Sequence, residues 1–248
     1  MTVAAARMVR NGAVCLVGIG LPSAAANLAR LTHAPDAVLI YESGTIGSKP
    51  DVLPLSIGDG ELAETADAVV PMVEIFSYWM QGGKIYLGFL GAAQIDRFAN
   101  INTTVIGDYS APSVRLPGAG GAPEIAAFSA EVLITLRHNS RAFVDKLAFI
   151  TSAGHLTGGD SRERLGFPGK GPAAVITDLG ILTPDGVTKE LVLTKIHPGV
   201  AVQSVVEATG WPLKVAPQLE TTPAPTEKEL SVLRELRQRT ARAHAGQA

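Results

Sequence analysis

The sequence has 248 residues, 46% of them hydrophobic, and a formal net charge of −2 at pH 7. A chain of this length and apolar content can bury one large core, and nothing in it demands two separate cores. Charges of both signs are spread along the chain, which argues against partners that need a basic patch. Nucleic acids and anionic membrane surfaces are therefore not expected as ligands.

Short apolar runs of strand length alternate with helical patterns along most of the chain. The predicted helices span residues 23–31, with Ser23 as a cap, and residues 72–81. This alternation favours an α/β fold in which a twisted, mostly parallel sheet is flanked by helices. The predicted strands span residues 13–17, 37–41, 85–90, 131–135, 147–151, 174–177 and 191–196.

The N-terminal residues imitate a secretory signal, with two arginines before an apolar stretch and three alanines after it. Gly18, Gly20 and Pro22 interrupt this stretch as a turn from strand to helix would, so we reject a signal peptide. No run of about twenty apolar residues is present, and no membrane-spanning helix is expected.

The single cysteine, Cys15, lies in an apolar run and cannot form an internal disulfide. We expect a buried structural thiol and a reducing compartment, the cytoplasm. The histidines show no spacing typical of metal ligands, so neither a metal nor a prosthetic group is predicted. They are His33, His138, His155, His197 and His244.

The C-terminal part differs from the rest and gives a predicted division into residues 1–215 and 216–248. Prolines at 212, 217, 223 and 225 predict an extended connector. Thr226 and Glu229 then have the spacing of a capping box. Leu230, Leu233 and Leu236 follow at helical spacing, which predicts an amphipathic last helix with a polar tail near its end. Docking of this helix onto the same subunit or onto a partner is expected.

Glu42 follows the apolar run 37–41 and is followed at once by Ser43 and Gly44. An unpaired carboxylate is expensive to bury, and a glycine lets the backbone turn sharply. Open α/β sheets bind their ligands at the ends of parallel strands. Position alone leaves two interpretations open, a solvent-facing glutamate and a catalytic one.

Two glycine-containing segments could also contact a ligand. Gly18 and Gly20 occupy the first two positions of a dinucleotide-binding turn, but its third glycine is missing, which makes a Rossmann site improbable. Gly118, Gly120 and Gly121 could direct backbone N–H groups at an oxyanion. By itself the latter segment favours a plain turn before a helix that begins near residue 123.

Six motifs in this order resemble those of the β subunits of class I CoA-transferases, over about residues 1–215. Many members carry Glu-Asn-Gly where this chain has Glu-Ser-Gly. The form with Ser belongs to the branch of the glutaconate and 3-oxoadipate CoA-transferases. The chain is most similar to this branch. The motifs are Val17-Gly18-Ile19-Gly20-Leu21-Pro22, Tyr41-Glu42-Ser43-Gly44, Gly91-Ala92-Ala93-Gln94-Ile95-Asp96, Asn100-Ile101-Asn102, Gly118-Ala119-Gly120-Gly121-Ala122 and Ser161-Arg162-Glu163-Arg164-Leu165-Gly166.

This resemblance implies a twisted α/β sheet with additional β elements in its C-terminal part. It also implies covalent catalysis, in which Glu42 accepts an acyl group and then holds CoA as a thioester. Coenzyme A is a substrate, and no cofactor is expected. The implied reaction moves CoA from succinyl-CoA to a 3-oxo dicarboxylic acid, with 3-oxoadipate as the leading acceptor. A separate α subunit is expected in a heterotetramer or a larger assembly.

The resemblance also suggests roles for other residues. Gly118, Gly120, Gly121 and Ala122 would stabilise an oxyanion or contact CoA. The active-site wall would be formed by Gly18, Gly20, Ser43 and Gly44. Gln94, Arg115 and Lys49 are candidates for binding the substrate, the last two because a second carboxylate is best held by a cation.

Three alternatives remain open at this point. The acceptor could be another acid, as in the glutaconate enzyme. The chain could belong to a hydrolase that opens rings on CoA esters, although the relatives in question lack the Glu-Ser-Gly motif. It could also be a non-catalytic ligand-binding module, because one fold serves many functions.

Overall fold

The computed structural model describes residues 1–245. Its helices are α1 (Thr2–Ala6), α2 (Leu21–Thr32), α3 (Gly60–Glu64), α4 (Met72–Glu74), which continues into a π-helical turn (Ile75–Met80), α5 (Ala122–Phe128), α6 (Ser161–Arg164), α7 (Val202–Glu207) and α8 (Glu227–His244). Its strands are β1 (Val14–Leu16), β2 (Val38–Ile40), β3 (Thr45–Ile46), β4 (Ala68–Val69), β5 (Leu87–Gly91), β6 (Gln94–Ile95), β7 (Ile101–Asn102), β8 (Val105–Gly107), β9 (Pro112–Arg115), β10 (Glu131–Thr135), β11 (Pro172–Ile176), β12 (Gly180–Pro184), β13 (Leu191–Ile196) and β14 (Lys214–Thr221).

The described residues divide into two units. The first contains Thr2–Phe89 and the chain from Ala224 onward, and the second contains Met1 and Leu90–Pro223. Among the described residues, no helix combines the length and the apolar character needed to cross a membrane.

In the first unit, β1 lies between β2 and β5 and runs parallel to both. The antiparallel strands β3 and β4 extend the sheet beyond β2. Cys15 of β1 is fully buried, and burial raises the pKa of its thiol to about 12. A strand that is apolar and buried on both faces is typical of parallel sheets. The Cys15 thiol therefore has a structural role in packing.

Helix α8 packs against α2 within the first unit. The predicted capping box is present, since the Thr226 hydroxyl accepts from the amide of Glu229 and the Glu229 carboxylate accepts from the amide of Thr226. Leu233 and Leu236 are buried, and Arg7 of the segment after α1 forms an ion pair of 2.6 Å with Glu229. Docking of the last helix onto its own subunit is thus observed. Residues 246–248 of the predicted polar tail lie outside the described part.

In the second unit, β10 and β11 are parallel, whereas β11, β12 and β13 are antiparallel neighbours. Strand β14 then pairs in parallel with β13. Two further pairs, β6 with β7 and β8 with β9, form small antiparallel sheets. The predicted α/β class is confirmed, with parallel strands in both units and the additional β elements in the C-terminal half.

The structure corrects three local predictions. Ser23 does not cap α2, because Gly20 is the N-cap and the helix begins at Leu21, one residue before a proline suited to the first turn. Residues 147–151 form no strand; the apolar run there packs irregularly, with Phe149 stacked on Tyr109 at 5.6 Å. Much of the predicted connector is strand β14, whose backbone pairs with β13 despite its proline.

Candidate active site

The turn between β2 and β3 carries Glu42. The amide of Tyr41 donates to the carbonyl of Thr45 at 3.1 Å, and the amide of Gly44 donates to the carbonyl of Tyr41 at 3.1 Å. The loop of this hairpin therefore consists of Glu42, Ser43 and Gly44, and Gly44 has the positive φ, 108°, that three-residue loops require. Glu42 lies two residues after the end of β2, at the sheet edge predicted from the sequence, and it is half-buried.

The Gly18–Gly20 turn lies at the same sheet edge as Glu42. Leu16 of β1 pairs with Ile40 of β2, so Gly18 and Glu42 each stand two residues beyond a paired position. The amide of Val17 donates to the carbonyl of Ile40 at 2.9 Å, which links the two chain segments directly. Gly20 has a φ of 83° and is the N-cap of α2. This arrangement fits the predicted wall beside Glu42.

Ser43 and Lys49 belong to the same unit as Glu42 and have different surroundings. The hydroxyl of Ser43 is buried and has no hydrogen-bond partner within the described residues. Lys49 is exposed, and its ammonium group forms an ion pair of 2.6 Å with Asp67. A substrate carboxylate at Lys49 would have to compete with that of Asp67.

The glycine segment of the second unit precedes α5. Gly118 is anchored by Thr103, whose carbonyl accepts from the Gly118 amide and whose hydroxyl donates to the Gly118 carbonyl, each at 2.8 Å. Gly120 is exposed with a φ of 52°, and Gly121 is the N-cap of the helix that begins at Ala122. Within the described residues no hydrogen bond occupies the amides of Gly120 and Gly121. Two adjacent unoccupied donors are what an oxyanion site requires.

Gln94 also lies in the second unit, on β6. Its side-chain oxygen accepts from the amide group of Asn102 at 3.0 Å, and its nitrogen donates to the carbonyl of Arg141 at 3.3 Å. Asn102 is fully buried and also bonds the backbone of Val105. Gln94 is thus fixed by a structural asparagine.

Arg115 ends β9 and is exposed. Its guanidinium lies 4.9 Å from the centre of the Tyr109 ring and donates to the Tyr109 carbonyl at 2.9 Å. Arginine packed in this way keeps several N–H groups for a carboxylate.

The predicted site residues therefore fall into two sets. Glu42, Ser43, Gly44, Lys49 and the two glycines before α2 belong to the first unit. The glycine segment with Ala122, together with Gln94 and Arg115, belongs to the second. In the part of the chain that is described, no group of three or more His, Cys, Asp or Glu is arranged to hold a metal ion.

Sequence reasoning missed a set of buried polar residues behind the hairpin. The Tyr41 hydroxyl lies 3.0 Å from the Ser23 hydroxyl, and Asn27 donates to the carbonyl of Ser23 at 2.9 Å. The available signal was the spacing of Ser23, Asn27 and Arg30, which places three polar residues on one face of an alanine-rich helix.

Comparison with known proteins gives a consistent family assignment. The chain is 68% identical over 247 residues to the B subunit of 3-oxoadipate CoA-transferase from Pseudomonas knackmussii, covering 100% of this chain and 95% of that protein. It is 38% identical to the B subunit of glutaconate CoA-transferase from Acidaminococcus fermentans, over 93% of this chain and 88% of that protein. The crystal structure of glutaconate CoA-transferase from A. fermentans matches with a TM-score of 0.89 at 36% identity, covering 94% of this chain and 91% of that one. A family model for coenzyme A transferase matches residues 1–208, and the chain therefore belongs to the coenzyme A transferase family.

Proposed function

We propose that this chain is the β subunit of a two-subunit CoA-transferase that moves CoA from succinyl-CoA to 3-oxoadipate, a step in aromatic compound catabolism. The observation that carries the proposal is the 68% identity, over the whole chain, to a protein named as the B subunit of 3-oxoadipate CoA-transferase. The retained Glu-Ser-Gly turn favours transfer over the hydrolase and the non-catalytic alternatives. The buried, unpaired thiol of Cys15 suits a reducing compartment, so the proposed location is the cytoplasm.

The reaction proceeds on the carboxylate of Glu42. One of its oxygens attacks the thioester carbonyl of succinyl-CoA, which forms a mixed anhydride and releases the CoA thiolate. The thiolate attacks the glutamyl carbonyl, which forms a thioester on Glu42 and releases succinate. The carboxylate of 3-oxoadipate then attacks this thioester, and the thiolate released in that step attacks the 3-oxoadipyl carbonyl. The products are 3-oxoadipyl-CoA and the original carboxylate.

Each attack in this sequence creates a negatively charged oxygen. The amides of Gly120 and Gly121 supply the hydrogen bonds for it, and their unoccupied state in the described residues supports this role. Loss of one such donor typically costs about 2.7–4 kcal/mol of transition-state stabilisation. Ala122 and Gly118 are the further candidates for contact with CoA, and the Gly18–Gly20 turn is the candidate wall beside Glu42 in its own unit.

The second carboxylate of each substrate requires a positively charged partner. Arg115 is the better candidate in this chain, because Lys49 is already paired with Asp67. The side chain of Gln94 bonds Asn102 and Arg141 and keeps a second N–H for an additional hydrogen bond to substrate. The partner subunit is the other source of positive charge.

The partner is an α subunit in a heterotetramer or a larger assembly. Relatives that are named as B subunits imply a companion subunit. A run of exposed apolar residues supports this, since Val69, Met72 and Val73 expose 61%, 57% and 67% of their surface. This run is joined to the Glu42 hairpin through the Val70 amide, which donates to the Gly44 carbonyl. Exposed apolar surface of this kind marks a protein interface.

The test of the proposal is co-expression with an α subunit from the same genome, followed by acceptor profiling with succinyl-CoA. We expect kcat/KM to be highest for 3-oxoadipate among 3-oxoadipate, glutaconate and acetate. No transfer to any of these acids, or release of free CoA without an acceptor, would contradict the proposal.

The partner interface is tested by Val73→Glu, which should reduce co-purification of the α subunit. Val187→Glu, at a residue that is 81% exposed elsewhere, is its control.

A further inference from the structure

Tyr41 immediately precedes Glu42 and is fully buried. Its hydroxyl lies 3.0 Å from the hydroxyl of Ser23, on the buried face of α2. Its backbone forms both hydrogen bonds that close the hairpin loop, one with Thr45 and one with Gly44. The tyrosine therefore joins the turn that carries Glu42 to the helix behind the sheet.

Ser23 is itself fixed by a chain of polar side chains along α2. The amide nitrogen of Asn27 donates to the carbonyl of Ser23 at 2.9 Å and approaches its hydroxyl at 3.4 Å. The Asn27 oxygen accepts from the guanidinium of Arg30 at 3.3 and 3.4 Å. Arg30 also donates to the carbonyl of Pro50 at 3.2 Å, in the segment after β3. This series of hydrogen bonds therefore runs from Tyr41, just before the hairpin loop, to Pro50, in the segment after β3.

A packing role alone does not require this arrangement. A phenylalanine could fill the same space, whereas burying a tyrosine hydroxyl, a serine and an asparagine is unfavourable unless they bond one another. All three are completely buried here. A satisfied polar network of this kind fixes one geometry, because any displacement leaves a buried group without a partner.

We propose that Tyr41, held by Ser23 and Asn27, is a positioning residue that sets the placement of the Glu42 carboxylate for attack on the thioester. This inference rests on the proposed role of Glu42 as nucleophile. Attack on a carbonyl requires close placement of the two reacting atoms, and a misplacement of about 1 Å can cost about 100-fold in rate. Tyr41 is fully buried, so in this proposal it acts through the hairpin.

The test compares Tyr41→Phe with Thr32→Val in the αβ complex. Thr32 lies on the same helix, and its hydroxyl donates to the Leu28 carbonyl at 2.6 Å and lies 3.1 Å from Nδ1 of His33, so this control loses hydroxyl hydrogen bonds without loosening the hairpin. For Tyr41→Phe we expect kcat, and the single-turnover rate of thioester formation on Glu42, to fall roughly tenfold with KM for succinyl-CoA within about twofold. Thr32→Val should keep both rates.

Ser23→Ala should reproduce the effect of Tyr41→Phe, and the double variant should be no slower than either single variant, because one connection is removed. If Tyr41→Phe does not fold, Ser23→Ala provides the same comparison. Wild-type rates of thioester formation in the folded variants, or rate losses that multiply in the double variant, would overturn the proposal. Glu42→Gln tests the nucleophile on which this inference rests: full transfer by that variant would refute the proposed role of Glu42, whereas its inactivity beside a fully active Tyr41→Phe would refute only the positioning role of Tyr41.

Discussion

The amide of Val70 donates a hydrogen bond of 2.9 Å to the carbonyl of Gly44. A β-carbon at position 44 would lie 1.9 Å from the Val70 carbonyl oxygen, and the φ of Gly44 is 108°. The chain directly after β4 thus passes so close to the Glu42 hairpin that only glycine fits at position 44. Two independent constraints, space and backbone conformation, fix the residue that ends the turn.

Gly44→Ala should therefore lower the stability of the protein by at least about 2 kcal/mol, because the hairpin must move away from Val70. CoA transfer should fall together with it. Thermal unfolding and transfer assays of the purified αβ complex provide the measurement. Gly12→Ala is the matched control, since Gly12 has a φ of 75° but nothing lies within 4 Å of an added β-carbon. This change should lower the free energy of unfolding by only about 1 kcal/mol. Equal effects of the two changes would show that the close approach of Val70 is unimportant.

Gly120→Val should reduce kcat by about two to three orders of magnitude in a folded complex, because it displaces the donors proposed to bind the oxyanion (about 2.7–4 kcal/mol for one lost donor). Gly159→Val is the control for backbone strain. Gly120 and Gly159 have φ values of 52° and 54°, and neither has an atom within 4 Å of an added β-carbon. If both variants retain full kcat, or lose it equally, the oxyanion role of Gly120 is refuted.

Arg162 is a buried cation whose described hydrogen bonds all go to backbone carbonyls, and whose guanidinium lies over the Phe167 ring. It donates to the carbonyls of Gly169, Ala153, Gly154 and Ala126 at 2.7–3.1 Å, and burial lowers the pKa of its guanidinium to about 10. Lysine cannot reproduce this planar set of donors. Arg162→Lys should therefore cost about 3 kcal/mol in the free energy of unfolding.

The control for Arg162→Lys is Arg164→Lys, at a side chain that is 67% exposed and forms an ion pair with Asp160. That change should stay within about 0.5 kcal/mol. Denaturant unfolding measures both. A similar small effect at position 162 would mean that the buried arginine does not organise the loops it contacts.

The Arg7–Glu229 pair predicts a specific dependence of stability on pH. The hydrogen bond from Arg7 lowers the pKa of Glu229 from 4.5 to about 2. A carboxyl group whose pKa is lowered by folding contributes stability above its unfolded pKa, and this is lost as pH falls through the folded value. The contribution should therefore be complete above about pH 4.5 and disappear towards pH 2.

Glu229→Gln should flatten the stability profile in this pH window and leave it parallel to the wild type at higher pH. Thermal melting at a series of pH values provides the measurement. Glu227→Gln, in the same first helical turn, is the control and should keep the wild-type slope. An unchanged slope for Glu229→Gln would refute the linkage.

The sequence alone predicts much of the framework and little of the environment of Glu42. The strands β1, β2, β10 and β13 were predictable because continuous apolar runs mark buried strands. Strands β3 and β4 have two residues each, and β4 is defined by the pairing of Ala68 and Val69 with the second strand of the Glu42 hairpin rather than by its own propensity. Pairing across such a distance in sequence leaves no local pattern.

Ser23, near Glu42, shows in the same way that contacts made by the tertiary fold leave no local sequence pattern. A serine near the start of a helix usually caps it, and the expected cap at position 23 was wrong because the helix begins earlier. Its hydroxyl instead faces Tyr41, a contact between residues 18 positions apart. Glu42 could be proposed as a catalytic candidate because its neighbours form a motif, whereas the network that holds its turn depends on the tertiary fold.

The most direct measurement is the identification of the residue that carries CoA during turnover. The αβ complex is incubated with succinyl-CoA in the absence of an acceptor acid, and its peptides are examined by mass spectrometry. We expect CoA on Glu42 as a thioester that disappears when 3-oxoadipate is added, and no such adduct in Glu42→Gln. An adduct on a different residue, or normal transfer by Glu42→Gln, would contradict catalysis by Glu42.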